Sequence, residues 1–329
     1  MKTCFKWLGI IIGVLISLPI VIGLSTKLLT SDVPPPGKRY DVGGFKLHLD
    51  CQGQANDLPT VIIEGGAGSA VTNYYWLQQQ LKKRVQVCRY DRAGLGWSDD
   101  IITSRDADTM VTELHTLLTT AQVKPPYLLA GHSMGGPIIR VFAQEYPTEV
   151  SALVFIDSSH PEQVERLNLP DDMMGTMQTV GSILGDLGLL PYFVGSFALG
   201  LPEEQANAMN WMARNGRMIR QSAIEMEKME VIFDRAKNTT DFGDLPVRVF
   251  SAGVQSTGME SMLPEGFDPE LMFKNFQILQ QELTEISTNS QQVIVEGADH
   301  GSINTVEDYS SVVAKGIHEL LDEMEQAQI

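Results

Sequence analysis

Basic residues are scarce in this chain: 24 Lys and Arg stand against 41 Asp and Glu, a formal net charge of −17 over 329 residues. Nucleic acid binding requires clustered Lys and Arg to displace phosphate counterions, so the imbalance excludes DNA and RNA as partners. It also disfavours adhesion of the globular part to anionic lipid, and a solvated acidic surface accounts for most of the charge. Cysteine is scarce as well, with three in the chain. Cys4 precedes an apolar segment, which leaves Cys51 and Cys88 in the folded part. In an exported protein such a pair suggests a disulfide; otherwise the two are buried thiols. No internal repeat is visible. A hydrophobic content of 43% and a charged content of 20% exclude wholesale disorder, and the length allows a sizeable core.

A glycine-rich loop, Glu64-Gly65-Gly66-Ala67-Gly68-Ser69, follows the apolar strand Thr60 to Glu64. It lacks the Lys and Ser/Thr of a phosphate-binding loop and does not match G-x-G-x-x-G, so a phosphate cradle is excluded. The remaining use is backbone N–H donation, with Ala67 or Gly66 as the donor. The partner stretch is Tyr127 to Arg140, where a short apolar run ends at Ala130 and Gly131 and Gly135 flank Ser133 in G-x-S-x-G spacing. Such a turn holds its central residue in a strained conformation, and a Cβ at either flank would collide with a neighbouring element. Ser133 is the expected nucleophile. The helix that follows leaves unpaired N–H groups at its start, so Met134 N–H is the expected first donor to an oxyanion.

Strand and helix patterns alternate from Tyr40 to Asp157. Tyr40 to Asp50 reads as an edge hairpin around Gly43-Gly44, with His48 on its polar, solvated face. Further strands are expected at Arg84 to Tyr90 and Ala152 to Ile156, with a helix from Arg105 to Gln122. This βαβα order implies a mostly parallel sheet covered on both faces. From Ser158 to about Leu245 the pattern becomes helical, rich in Met and Leu and broken by prolines. Its methionines read mainly as core filling, with an adaptable apolar pocket as the other use. Asn238-Thr239-Thr240 matches the glycosylation sequon, a weak signal by itself. Strands resume at Val247 to Ala252 and Val293 to Glu296, and a helix from Val306 to Glu323 closes the chain. Between the last two lies Gly297-Ala298-Asp299-His300. His300 stands beyond a strand end, where parallel order would bring it beside Ser133.

The first thirty residues read as separate from this fold. After Lys2 and Lys6, Leu8 to Leu24 is apolar except for Ser17, and Lys27 closes the run. As a helix it reaches roughly 25 Å, a little short of a ~30 Å hydrocarbon core. An uncleaved membrane anchor is expected, with the catalytic domain outside the cytoplasm, on the periplasmic or extracellular face. A cleaved signal peptide, giving a secreted protein, is the competing reading; Val21 and Gly23 make only a poor cleavage pair. The proline-rich stretch Ser31 to Lys38 would then hold the domain off the membrane.

Gly131-His132-Ser133-Met134-Gly135-Gly136, Tyr90-Asp91-Arg92-Ala93-Gly94-Leu95-Gly96-Trp97-Ser98 and Gly297-Ala298-Asp299-His300, in this order, resemble the serine hydrolases of the α/β-hydrolase superfamily. The anchored start resembles membrane-anchored bacterial members of its esterase- and lipase-like group. The resemblance implies an α/β fold with an eight-stranded, mostly parallel sheet and an inserted helical cap. The expected division is 1–30 anchor or signal, 31–39 linker, 40–157 with 246–329 as the core, and 158–245 as the cap. Many members carry the third triad residue after the strand matching Val247 to Ala252, but Gly253 is followed here by Val254, Gln255 and Ser256. The alternative place is the end of the strand after the nucleophile helix, which Asp157 occupies; Glu260 and Asp268 are fallbacks. Ser133, His300 and Asp157 imply ester or thioester cleavage of an apolar acyl substrate through an acyl-enzyme, with no cofactor and no metal. Amidase, carbon–carbon hydrolase, acyltransferase and cofactor-free haloperoxidase chemistry share the same machinery. A catalytically idle, membrane-tethered binding module is the rival of a different class.

Overall fold

The computed structural model describes the chain except for residues 1, 30–31, 102, 168–174, 194–199, 257–267 and 328–329. Among the described residues, a first helix α1 (Lys2–Leu29) precedes one sheet. Its strands are β1 (Lys38–Asp41), β2 (Lys46–Gln52), β3 (Thr60–Glu64), β4 (Val87–Asp91), β5 (Tyr127–His132), β6 (Val150–Ile156), β7 (Val247–Ala252) and β8 (Ser290–Val295). They lie in the order β1-β2-β4-β3-β5-β6-β7-β8. Only β1 with β2 and β2 with β4 are antiparallel; every other neighbouring pair is parallel. The expected eight-stranded, mostly parallel sheet is therefore what forms.

The central strands are apolar on both faces because helices cover both. Along β3, Ile62 joins one core while Val61 and Ile63 join the other. In β5, Leu129 and Leu128 divide in the same way, as a period of two requires. The first core packs against α3 (Ala107–Thr120), through Leu114, Leu117 and Leu118, and against α4 (Gly135–Glu145), through Ile138 and Phe142. Asp106 caps α3 by accepting from Thr109 N–H at 2.8 Å. The second core packs against α2 (Tyr75–Leu81) and the closing helix Glu307–Ala327, through Leu77, Leu81, Ile317 and Leu321. Each such fully buried side chain contributes about 1.5–3 kcal/mol of apolar transfer.

Between β6 and β7 lie α5 (Gln163–Leu167), α6 (Gly175–Asp186), α7 (Leu190–Phe193), α8 (Glu203–Ala213), α9 (Gly216–Glu227) and α10 (Met229–Lys237). They form the cap. Met212 of α8 is buried with Ala70, Val71 and Trp97 of the core, and Trp211 stacks on Trp97 at 6.1 Å between ring centroids. Met173 and Met174 lie outside the described residues. The last helices are α11 (Pro269–Glu282), α12 (Ser302–Thr305) and α13 (Glu307–Ala327). Cys51 and Cys88, opposite each other on β2 and β4, are joined by a disulfide.

Three expectations are corrected. His48 is buried, not solvated. Its Nδ1 lies 2.7 Å from Asp91 Oδ2, its Nε2 is bonded to the Pro36 carbonyl, and its ring leans on Trp97. The polar face of β2 is covered by the Asp91–Ser98 loop and by the segment before β1, neither of which alternation can register. Burial pulls the His48 pKa down, but the Asp91 hydrogen bond and charge outweigh it and raise it. Second, the proline-rich stretch is no stand-off: Trp97 Nε1 donates to the Val33 carbonyl at 2.8 Å. Third, the membrane anchor fails, since among the described residues no helix is long and apolar enough to cross a membrane. Pro19 lies inside α1, and the helix's last turns pack on the segment between β6 and β7. A Cβ on Gly23 would come within 2.2 Å of the Leu187 carbonyl oxygen, and Lys27 Nζ donates to the Asp186 carbonyl at 3.3 Å. The placement of the domain beyond a membrane rested on that span and falls with it.

Candidate active site

Ser133 sits between β5 and α4 with φ at 52°, in the left-handed region that β-carbon sterics disfavour. The flanking glycines permit it. A Cβ on Gly131 would lie 2.6 Å from the Gly135 carbonyl oxygen, and one on Gly135 would lie 2.4 Å from the Glu64 carbonyl oxygen. Neither contact is relieved by moving a side chain, so both positions exclude anything larger than glycine. The turn is tied down by Ser159 N–H and Gly136 N–H, which donate to the Ser133 carbonyl at 2.9 and 3.0 Å.

Asp157 ends β6 in a second left-handed conformation, φ 42°. Its Oδ1 accepts from Ala252 N–H of β7 at 2.9 Å and its Oδ2 lies 2.5 Å from His300 Nδ1. The carboxylate is 2% exposed and the imidazole 43%, so one partner is shielded and the other is reached by solvent. Burial raises the Asp157 pKa, but the His300 hydrogen bond and charge and the Ala252 N–H outweigh it and hold it low. Burial pulls His300 down, yet the Asp157 hydrogen bond and charge, with Asp299 adding, leave its pKa raised. Asp299 itself accepts from Gly301 N–H and Ser302 N–H, so its carboxylate is spent within the loop. Of the fallback carboxylates, Glu260 lies outside the described residues. Asp268 caps α11, accepting from Glu270 and Leu271 N–H at 3.0 and 3.1 Å, and makes no bond to His300.

The glycine loop lies against the serine turn: a Cβ on Gly66 would come within 3.0 Å of Ser133 Cβ. Gly66 N–H donates to the Tyr74 hydroxyl at 2.9 Å, which removes it as an oxyanion donor. Met134, the other expected donor, stands at the N-terminus of α4.

Sequence reasoning missed the clamp that holds this loop. Arg92 is buried, and all five of its N–H groups are used. Nε and Nη2 donate to Glu225 at 2.9 and 2.8 Å, Nη1 to Glu64 at 2.5 Å and to the Gly65 carbonyl at 2.8 Å, and Nη2 to the Gly66 carbonyl at 2.6 Å. Glu225 belongs to cap helix α9 and also accepts from Gly68 N–H at 2.8 Å. Burial would lower the Arg92 pKa, but the two carboxylates outweigh it and push it up; burial pushes the Glu64 carboxyl up despite Arg92. The signal available beforehand was a carboxylate ending an apolar strand and an Arg in the Tyr90–Ser98 loop. Their partner lies 133 positions away.

Among the described residues, His160, Glu162 and Glu282 form the one group with metal-ligand composition. Arg166 already lies between the two carboxylates, 2.8 Å from Glu282 and 3.4 Å from Glu162. A cavity of about 400 Å³ lined by Ala143, Asn238, Thr239 and Phe242 opens at the far end of α4. That is one helix length, roughly 16 Å, from the serine turn.

The fold and the strained turn define a class, that of the α/β hydrolases. A family model described as alpha/beta hydrolase fold matches residues 59–184. An uncharacterized protein of Schizosaccharomyces pombe is 26% identical over 319 residues, 87% of this chain and 56% of its own length. The uncharacterized protein YbdG of Bacillus subtilis is 30% identical over 50% of this chain and 53% of its own. The chain thus spans about half the length of these curated relatives. The crystal structure of the enol-lactonase from Burkholderia xenovorans superposes with a TM-score of 0.58 at 16% identity, over 87% of this chain and 100% of that one. The chain thus has the α/β-hydrolase fold, and its residues 59–184 match that family's model.

Proposed function

We propose that the protein is a serine hydrolase that cleaves a carboxylic ester or thioester of an apolar acyl group through an acyl-enzyme. Ser133 Oγ attacks the carbonyl carbon while His300 Nε2 takes its proton, and Asp157 holds the histidine by Nδ1 and stabilises the imidazolium. The Met134 and Ala67 N–H groups bind the developing oxyanion, worth about 2.7–4 kcal/mol per donor in such sites. The imidazolium then returns its proton to the leaving alkoxide or thiolate. Water, deprotonated by the same ring, attacks the acyl-enzyme and releases the acid.

The observation that carries the reading is the His300–Asp157 pair at 2.5 Å, with the His300 carbonyl bonded to His132, the neighbour of a serine held in left-handed backbone. The methionine-rich cap above it supports an apolar acyl group. Carbamates and amides share the first step and differ only in the leaving group, so they belong in the substrate panel. The test is labelling of the intact chain by a fluorophosphonate, followed by turnover of p-nitrophenyl esters of graded chain length. Ser133→Ala is expected to lose both; labelling that persists in this variant sinks the assignment.

A further inference from the structure

His132 separates Gly131 from the serine, and both of its ring nitrogens are engaged. Nδ1 lies 3.1 Å from the Tyr74 hydroxyl and Nε2 lies 3.0 Å from the His300 carbonyl oxygen. The Tyr74 hydroxyl in turn meets Gly66 N–H at 2.9 Å. The ends of this chain fix its direction, because a backbone N–H can only donate and a carbonyl can only accept. Nε2 therefore carries the proton, Nδ1 is bare, the Tyr74 O–H donates to it, and the Tyr74 oxygen accepts from Gly66. Both side chains are buried.

We infer that His132 and Tyr74 are positioning residues, whose three directional hydrogen bonds set the spacing between the glycine loop that offers the oxyanion donor and the loop that carries His300. The chain explains two features of the site. Gly66 N–H is occupied, which hands the oxyanion to Ala67. The carbonyl of His300 is anchored while its ring stays free to exchange a proton. Two imidazoles lie 4.7 Å apart, yet only one can act as the base. Burial, together with the nearby His300, pushes the His132 pKa down to about 3, so the proton lost by Ser133 has a single destination.

The kinetic arm of the test rests on the serine hydrolase reading; the spectroscopic arm does not. In the full chain, Tyr74→Phe and His132→Phe are expected to lower kcat roughly 100-fold, the scale of a small misplacement of reacting groups, with KM little changed. The double variant should be no worse than either single one, since both cut the same chain. His132→Gln, whose amide N–H can reach the His300 carbonyl, should recover part of kcat. Long-range proton–nitrogen spectra of the wild-type chain should show His132 as the Nε2–H tautomer throughout about pH 5 to 8, the range in which an unperturbed histidine titrates. Wild-type kcat in Tyr74→Phe, additive losses in the double variant, or His132 titrating within that range would overturn the inference. A wild-type chain that neither turns over esters nor takes the fluorophosphonate defeats the serine reading instead, and the tautomer still decides the hydrogen-bond chain. Should His132→Phe fail to fold, the wild-type spectra and Tyr74→Phe decide.

Discussion

Replacing Glu225 by Ala tests whether the cap is bolted to the active-site loop. The carboxylate is 0% exposed and takes two of the five Arg92 N–H groups together with Gly68 N–H. Its removal leaves two buried Arg92 donors and the half-buried Gly68 N–H without acceptors, and Arg92 with one carboxylate where it had two. Breaking a buried ion pair from one side costs about 3–5 kcal/mol, and two buried orphaned donors at about 1–3 kcal/mol each bracket that figure. Glu64 stays beside Arg92 and holds the loss toward the lower end. Against a total of about 5–15 kcal/mol, that is a large share of the stability. Glu225→Gln keeps one acceptor oxygen and the shape, so about 1–3 kcal/mol is expected. Urea denaturation gives both numbers through the shift in midpoint at constant slope. Ester turnover by the fraction still folded should also fall, because Arg92 holds the Gly65 and Gly66 carbonyls of the oxyanion loop. A midpoint change worth less than about 1 kcal/mol for the Ala variant, the size of an exposed pair, would refute the clamp.

Asp157→Asn should lower kcat by roughly 10⁴ while Asp268→Asn, a helix-cap change, leaves it near wild type; the reverse ranking would move the third triad role to α11. The acid limb of kcat/KM should have its midpoint above the ordinary histidine value of 6.5, because Asp157 raises the pKa of His300 and only the neutral ring accepts the serine proton. In Asp157→Asn that midpoint should fall, and an unshifted limb speaks against the pair. The same pair contributes folding stability that is fully present below 6.5 and is lost as the pH rises through the raised His300 value. The carboxylate's own share is present above 3.8 and is lost as the pH falls through the lowered Asp157 value, which urea midpoints across pH will show.

The sequence by itself determined the layout. Apolar runs bounded by turns marked the core strands, and β7 falls where Val247 to Ala252 was expected. Helix boundaries shifted by a residue or two, as for α3, which Asp106 starts later than Arg105. The glycines around Ser133 were legible because a tight turn is a local matter of backbone sterics, decided within five residues. Proximity of His300 to that turn followed from parallel order alone, since parallel strands bring their carboxyl ends to one edge.

Only the tertiary structure decided the pairings across long separations. His48 looked solvated from alternation, yet the end of β4, 43 positions on, places Asp91 opposite it. The apolar N-terminal run read as a membrane span, but its last turns find their partners at Leu187 and Tyr192 in the cap. Arg92 and Glu225, and the line from Gly66 through Tyr74 and His132 to His300, carry no local signature. A buried polar group is satisfied by whichever partner the fold delivers, and periodicity records only which side chains avoid water, never which ones meet.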